Sequence, residues 1–407
     1  MFRTICRIAW ASLVRRSSRS VLVVVMISMS LWGLLFMEGI YDGMTEQMIS
    51  NAIRSDSGQL SLFAAGFRED PGLNRLILQD GQITDCLAGD RRVKSFVRRL
   101  RQDGLAATAH YSRNVMIYGL DLATEQRHGR LDTYLTQGEY SFGAKKRGAI
   151  IGARLAEKLK VKIGRKLIVS AQNSEHEVSA VALTITGIVR TNNMALDESA
   201  VFIDMGKARE LFMTPEGVTQ VSVILQAEKD IPGVQNTLRR DFPTLEILSW
   251  DELYPALMQS RVLMKGFNLV MSLLIFGVAG LGIFGVMLVS VLERLREFGI
   301  MLAIGTSFDQ VRGIIFTESF ILGFSGFVGG SLLGGATLLY FYRHGLDLTI
   351  FGEGLEEFGM DVITYAVIRA QYFTTAFAAV MLATFVSVLF PLRLLKKANP
   401  IEAINKA

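Results

Sequence analysis

Residues Gly266 to Leu292 read GFNLVMSLLIFGVAGLGIFGVMLVSVL. It contains Gly280-Leu281-Gly282-Ile283-Phe284-Gly285, a literal G-x-G-x-x-G. That motif binds a dinucleotide only where it follows a strand and opens a helix. Here it lies inside a run with no Asp, Glu, Lys or Arg from end to end. A helix rises about 1.5 Å per residue and the hydrocarbon core of a bilayer is about 30 Å thick, so about 20 such residues cross it. The run therefore reads as a membrane helix, with glycines that let neighbouring helices approach closely.

Three further charge-free runs occur, Ser20 to Met37, Ser319 to Tyr342 and Ala370 to Leu392. A buried core helix could explain one of them, but four runs bounded by charges predict four crossings. Composition agrees: 50% of the 407 residues are apolar, only 20% are charged, and the mean hydropathy is +0.34. With 7 Pro and two cysteines the chain is neither disordered nor a disulfide scaffold. A formal charge of +5 is too small over this length to indicate nucleic acid.

Orientation follows from the basic residues. Arg3, Arg7, Arg15, Arg16 and Arg19 precede the first run, and Arg393, Lys396 and Lys397 follow the last, which predicts that both termini are cytoplasmic. The acidic stretch Arg343 to Arg369, with Asp347, Glu353, Glu356, Glu357 and Asp361, is then an outer loop. The first run could alternatively be a cleaved signal peptide. Phe36-Met37-Glu38-Gly39-Ile40 lacks a small-x-small cleavage site, so an uncleaved anchor is the better reading.

The expected fold class is a membrane protein of four transmembrane α-helices in a 1+3 arrangement, with a large α+β periplasmic domain inserted between helices one and two. The divisions are a basic cytoplasmic segment 1–19, helix one at 20–41, the periplasmic domain at 42–265 and helix two at 266–292. A cytoplasmic coupling loop at 293–318, helix three at 319–342, an outer loop at 343–369, helix four at 370–392 and a cytoplasmic tail at 393–407 complete the chain. The domain is large enough for its own core, or for two small ones. Cys6 and Cys86 fall on opposite sides of the bilayer and cannot pair, and Cys86 reads as a small buried hydrophobe.

Within the domain, 44–54 prolongs helix one, and Gln59 to Phe63 is a strand. Gly89 to Arg101 carries Val93, Phe96, Val97 and Leu100 at helical spacing with six basic side chains elsewhere, which predicts an amphipathic helix with a solvated basic face. Strands are expected at 149–152, 167–170, 178–190 and 200–204, with helices at 153–159 and 207–213. Strand 219–225, helix 231–242 and strand 245–249 form a βαβ unit.

Catalytic patterns are missing from the sequence. His110, His128, His176 and His344 have no metal-pair spacing, and neither a nucleophile elbow nor a P-loop occurs; Met205-Gly206-Lys207-Ala208 lacks the first glycine and the hydroxyl. No catalytic, cofactor or metal residue is assigned. Any powered motion needs a motor on another chain. Gly326, Gly330 and Gly334 repeat every four residues in helix three, with Gly323, Gly329 and Gly335 beside them, and predict a close helix-packing face against this chain or a second copy.

In the coupling loop, Gly305 suits the residue after a helix end, and Ser307 with Gln310 makes a capping box for the next helix. A helix–turn–helix elbow results, whose Ile300, Leu302, Ala303 and Ile304 would fit a groove on a cytoplasmic partner. This loop resembles that of the FtsX-like, MacB-type ABC transporter permeases, E-R-x-R-E-x-G-I-x-x-A-x-G-A. The chain keeps Glu293, Arg294, Arg296, Glu297, Gly299, Ile300, Ala303 and Gly305, with Thr306 where alanine is usual. Asn399-Pro400-Ile401-Glu402-Ala403 is similar to the family's closing N-P-x-E-A-L, and Ala9-Trp10-Ala11-Ser12-Leu13 to its opening A-W-R-N-L. Gly138-Glu139-Tyr140, Gly148 to Gly152, Leu155-Ala156 and Val161 to Gly164 are similar to its periplasmic domain.

The resemblance implies an inner-membrane protein of bacteria. Two permeases, identical or paralogous, would be driven by two ABC ATPase subunits that hold the ATP and Mg and act on the eight loop residues. Movement would pass to the periplasmic domain through helices one and two, without a channel for cargo. Lipoprotein release is the leading function. At about 0.8 kcal/mol per buried CH₂, three acyl chains with roughly 40 methylenes are held by on the order of 30 kcal/mol, which calls for a motor. Efflux through a periplasmic adaptor, FtsX-like control of a cell-wall hydrolase, and an intramembrane enzyme are the alternatives. Expected partners are thus the ATPase, a second permease, membrane lipids and a periplasmic lipoprotein carrier or adaptor, with no nucleic acid.

Overall fold

Every charge-free run becomes helix. The computed structural model describes residues 2–15, 17–191, 193–352, 354 and 362–397. The chain opens with α1 (Phe2–Arg15) and α2 (Ser17–Ala52), then β1 (Leu60–Ala64), α3 (Asp80–Gly89), β2 (Val93–Ala107), β3 (Ser112–Leu120), α4 (Leu122–His128) and β4 (Leu135–Gly138). It continues through β5 (Gly148–Gly152), α5 (Ala153–Leu159), β6 (Lys166–Gln172), β7 (Val178–Val189), α6 (Met194–Ser199), β8 (Ala200–Asp204) and α7 (Met205–Phe212). Next come β9 (Gln220–Leu225), α8 (Ile231–Asp241), β10 (Leu245–Ser249), α9 (Trp250–Leu253), α10 (Pro255–Glu293), α11 (Leu295–Ala303) and α12 (Phe308–His344). The last elements are β11 (Leu346–Asp347), β12 (Ile363–Thr364) and α13 (Ala370–Lys397).

Four helices among the described residues are long and apolar enough to cross a membrane. The G-x-G-x-x-G glycines lie inside α10, with no strand before them, so the dinucleotide reading is excluded by the backbone. The chain divides into two compact units, one comprising Met1–Thr45, Arg261–Leu348 and Ile363–Ala407, the other Glu46–Ser260 and Thr349–Val362.

In the first unit, α12 packs on α2 through the glycine stripe. A Cβ on Gly326 would stand 2.6 Å from Ile27 Cβ, one on Gly330 2.8 Å from Leu31 Cβ, and one on Gly334 2.7 Å from Leu35 Cδ1. The stripe therefore meets another helix of the same chain. Polar groups bridge the same contact: Ser28 Oγ donates to the Gly326 carbonyl at 3.0 Å and Trp32 Nε1 to Thr337 Oγ1 at 3.0 Å. Gly323 faces Thr384 and Met381 of α13 instead. Between α12 and α13, β11 and β12 pair antiparallel. Glu353, Glu356, Glu357 and Asp361 of that loop lie outside the described residues, as does the motif Asn399 to Ala403.

The second unit is α+β, built on a ten-stranded sheet. One end runs β10-β1-β9-β2, and α3 and α8 contribute to the core beneath it, with Ile83, Leu87, Val223, Val234, Leu238 and Ile247 buried together. The pairings β2-β3-β8-β5-β7-β6-β2 close a ring, whose core holds Ile117, Ile151, Val169, Ile185, Val201 and Phe212. β2 belongs to both parts, pairing with β9 through Arg99 and with β3 from Leu100 onward.

Two sequence expectations change here. Of the segment Gly89 to Arg101 expected as an amphipathic helix, Gly89 ends α3 and Val93 to Arg101 lie in strand β2, where Lys94 and Arg98 face water while Val97 and Arg99 face inward, a period of two. β-Branched Val93 and Val97 suit that pleat, and the spacing that mimicked a helix is interrupted by a register shift between Val93 and Ser95. The basic face is not wholly solvated either, since Arg99 is buried. The βαβ unit of 219–249 is split: β1 lies between β9 and β10, antiparallel to both, so the two strands are parallel without touching.

Candidate functional site

The elbow after α10 is assembled by caps. α11 ends at Ala303, and Gly305 follows at φ +98°, a conformation that favours glycine. The Thr306 N–H donates to the Met301 carbonyl at 2.9 Å and the Gly305 N–H to the Leu302 carbonyl at 3.1 Å, which is a Schellman closure. α12 then opens on Ser307, whose hydroxyl accepts from the Gln310 N–H while Gln310 Oε1 accepts from the Ser307 N–H at 3.0 Å. Both turns are local, and both follow from residue type.

A buried ion cluster fixes α11 from below. Arg294 is 6% exposed and Glu318 on α12 is 4% exposed. Arg294 Nη1 donates to both Glu318 oxygens, at 2.7 and 2.9 Å, its Nε donates to Glu297 at 3.0 Å, and its guanidinium lies 4.7 Å from the Phe298 ring centre. Burial alone would lower the Arg294 pKa; Glu318 and Glu297 more than offset this and raise it, so the cation is permanent. Phe298 and Gly299 are buried beside it.

The other predicted loop residues point outward. Arg296, Glu297, Ile300, Ala303 and Ile304 are exposed, Ile304 at 77%, and their spacing places them along one helical face ending at exposed Gly305. Glu293 is exposed and paired with Arg19. The structure thus separates the eight residues: Arg294 and Gly299 support α11, while Glu293, Arg296, Glu297, Ile300, Ala303 and Gly305 are accessible. Gly326, Gly330 and Gly334 belong to the α2–α12 contact instead. Glu318, which the sequence reading missed, is an acid at the start of a charge-free run, and that is the only mark it leaves in the sequence.

The second unit holds a polar cluster that periodicity hides. Arg99, 3% exposed, forms a fork with Glu125 of α4, itself 2% exposed, through Nε at 2.6 Å and Nη2 at 2.9 Å. His128 sits between Ser95 Oγ, 3.0 Å from Nδ1, and Ser222 Oγ, 3.0 Å from Nε2. Burial, with Arg99 nearby, pushes the His128 pKa down to about 3. Since the unfolded chain binds the proton near pH 6.5, acid favours unfolding: each pH unit below about 6.5 removes about 1.4 kcal/mol through this one group until roughly pH 3. Denaturant titrations at pH 6.5 and 5 should show that loss, and His128→Asn should abolish its share. No cluster of His, Cys, Asp or Glu among the described residues could hold a metal ion. Both cysteines are free, and burial raises the Cys86 thiol, as suits a packed side chain.

The model for the MacB-like periplasmic core domain matches residues 20–241, and that for the FtsX-like permease C-terminal region matches residues 269–400. The lipoprotein-releasing system transmembrane protein LolE of Haemophilus influenzae is 22% identical over 250 residues, 60% of this chain and 58% of the relative. LolC of Neisseria meningitidis serogroup B is 23% identical over 274 residues, 63% of this chain and 64% of the relative, so the matches span under two thirds of these relatives. The crystal structure of the periplasmic region of MacB from Actinobacillus actinomycetemcomitans is 13% identical, with a TM-score of 0.35 over 51% of this chain and 95% of that one. With more than half its length matched by the periplasmic core model and its C-terminal helices by the permease model, the chain belongs to the FtsX-like, MacB-type family of ABC transporter permeases.

Proposed function

We propose that this chain is the membrane subunit of a bacterial inner-membrane machine in which a separate ATPase drives work outside the membrane, and that the work is release of lipoproteins. The observation that carries the first part is α11: a short helix anchored by buried Arg294 and Glu318, with Arg296, Glu297, Ile300 and Ile304 exposed on one face. An exposed apolar row flanked by charge suits a groove on a cytoplasmic partner. In this reading the helices are arranged 1+3, both termini are cytoplasmic, the β-domain is periplasmic, and two ATPases serve two permeases. The names of LolE and LolC, together with the energy that holds acyl chains in a bilayer, favour lipoproteins as cargo.

The motor is tested through the turn. Gly305→Val forces a β-branched residue to φ +98°, at about 1–2 kcal/mol. That is a factor of roughly 5–30 in the population of the docked elbow, so stimulated ATP hydrolysis should fall by that factor while the protein stays in the membrane. Glu297→Lys should act in the same direction by reversing the charge on the exposed face. Stimulation equal to wild type in both would sink the coupling role. The cargo is tested by affinity capture from native membranes: triacylated lipoprotein supports release, and capture of an adaptor instead moves the function to efflux.

A further inference from the structure

We infer that Asp56, Arg99, Glu125 and Tyr254 form a rigid joint through which the two long helices drive the β-domain. This rests on the mechanical reading above. Asp56 lies in the π-helical turn Ile53–Ser57 that ends α2, and Tyr254 immediately precedes Pro255, the first residue of α10. The Tyr254 hydroxyl donates to Asp56 Oδ2 at 2.6 Å, so a side chain before one long helix holds one after the other. Arg99 donates to the backbone carbonyl of Asp56, and its guanidinium stands 3.8 Å from Asp56 Oδ1. The same guanidinium makes the fork to Glu125.

The position of Arg99 gives the cluster its mechanical sense. It is the last β2 residue paired with β9, and Leu100 is the first paired with β3, so Arg99 stands at the seam between the four-stranded end and the closed ring. Thr219 reinforces that seam by accepting from the Arg101 N–H at 2.8 Å and donating to the Arg99 carbonyl at 3.1 Å. Contacts from neighbouring segments of the chain tighten the turn further, one of them between the side chains of Asn193 and Ser55. A Cβ on Gly129, after α4, would lie 2.1 Å from the Arg54 carbonyl oxygen; Asn193 donates to Ser55 Oγ at 3.2 Å; and the Trp250 N–H donates to the Gln59 carbonyl at 3.1 Å.

Apolar side chains would fill this volume as stably, because desolvation of two buried charges consumes most of their attraction. What ionic and hydrogen-bonded groups add is direction. Apolar contacts slide under load, whereas a fork and a charge-assisted bond hold their partners at one distance and angle. Asp56, Arg99, Glu125 and Tyr254 are in this account positioning residues that touch no cargo.

The test uses the full chain with its ATPase in lipid nanodiscs, comparing nucleotide-free and vanadate-trapped states by hydrogen exchange in β3 and β8. Asp56→Asn and Tyr254→Phe keep the shape of the cluster and remove its charge or its bond. Nucleotide-free exchange of the ring core should match wild type, and ATP hydrolysis should stay within about twofold, while the nucleotide-dependent change in β3 and β8 shrinks about fivefold or more. A full-sized response in both variants overturns the joint. If the wild-type domain does not respond to nucleotide, the mechanical reading fails first and the joint with it. Unchanged nucleotide-free exchange separates loss of transmission from loss of folding.

Discussion

Replacing Glu318 with alanine is expected to destabilise the membrane-helix unit by about 3–5 kcal/mol, because it leaves the Arg294 guanidinium buried without its two strongest hydrogen bonds. Glu297 remains at 3.0 Å, but its side chain is largely in water, so it offsets only part of the loss. Removing both charges is a different case. Arg294→Met combined with Glu318→Leu replaces the pair by apolar groups of similar volume, and this variant should recover most of the stability lost in Glu318→Ala. Unfolding free energies of the three proteins in the same bilayer mimetic decide the matter. A loss below about 1 kcal/mol in Glu318→Ala would show that the pair is screened as a surface pair is. The same variants report on the elbow, since α11 is oriented by Arg294 and Phe298 beneath its exposed face.

A comparable loss is expected from Gly326→Ile, Gly330→Ile and Gly334→Ile combined. At each site the added Cβ alone would fall within 3.0 Å of Ile27, Leu31 or Leu35, so α2 and α12 must separate. Overpacking costs about 1–3 kcal/mol per site, and the three sites lie along one contact, so the triple variant should lose most of its resistance to proteolysis in membranes. Gly285→Ala and Gly335→Ala are the controls. A Cβ meets nothing within 4 Å at Gly285, and only Phe373 at 3.8 Å at Gly335, so alanine there should be neutral or gain up to about 1 kcal/mol from helix propensity. Equal sensitivity at all five positions would mean that backbone freedom, not the α2–α12 contact, explains the glycines.

The contrast between these glycines shows how far residue type alone carries. Gly280, Gly282 and Gly285 spell a nucleotide-binding motif and Gly326, Gly330 and Gly334 spell a packing motif, yet both sets occupy long apolar helices. The sequence signal for both was the absence of charge, which is a property of each segment alone and needs no partner. The same locality made α5, β8 and β10 legible to the residue, and it made both caps of the elbow readable from Gly305, Ser307 and Gln310.

Strand β2 marks the limit. Val93, Phe96, Val97 and Leu100 satisfy a helical template; the strand exists because β3, the next element in the chain, pairs with it as a hairpin and because β9 and β6, distant in sequence, offer backbone partners along the rest of its length. Arg99 is the sharper instance. Among six basic residues it alone receives a buried fork, from an acid on α4 that no periodicity connects to it.

The four apolar helices, the α+β character of the segment after the first, the elbow with its caps and each separate family motif were readable from the residues, because each depends on positions near one another in the chain. Tertiary structure alone decided which helix the glycine stripe meets, which loop residues of the elbow face water, where β1 is inserted, and which charges are buried. Those outcomes depend on long-range backbone pairing and on the requirement that a charge removed from water find its counter-charge, and neither is encoded in any single segment.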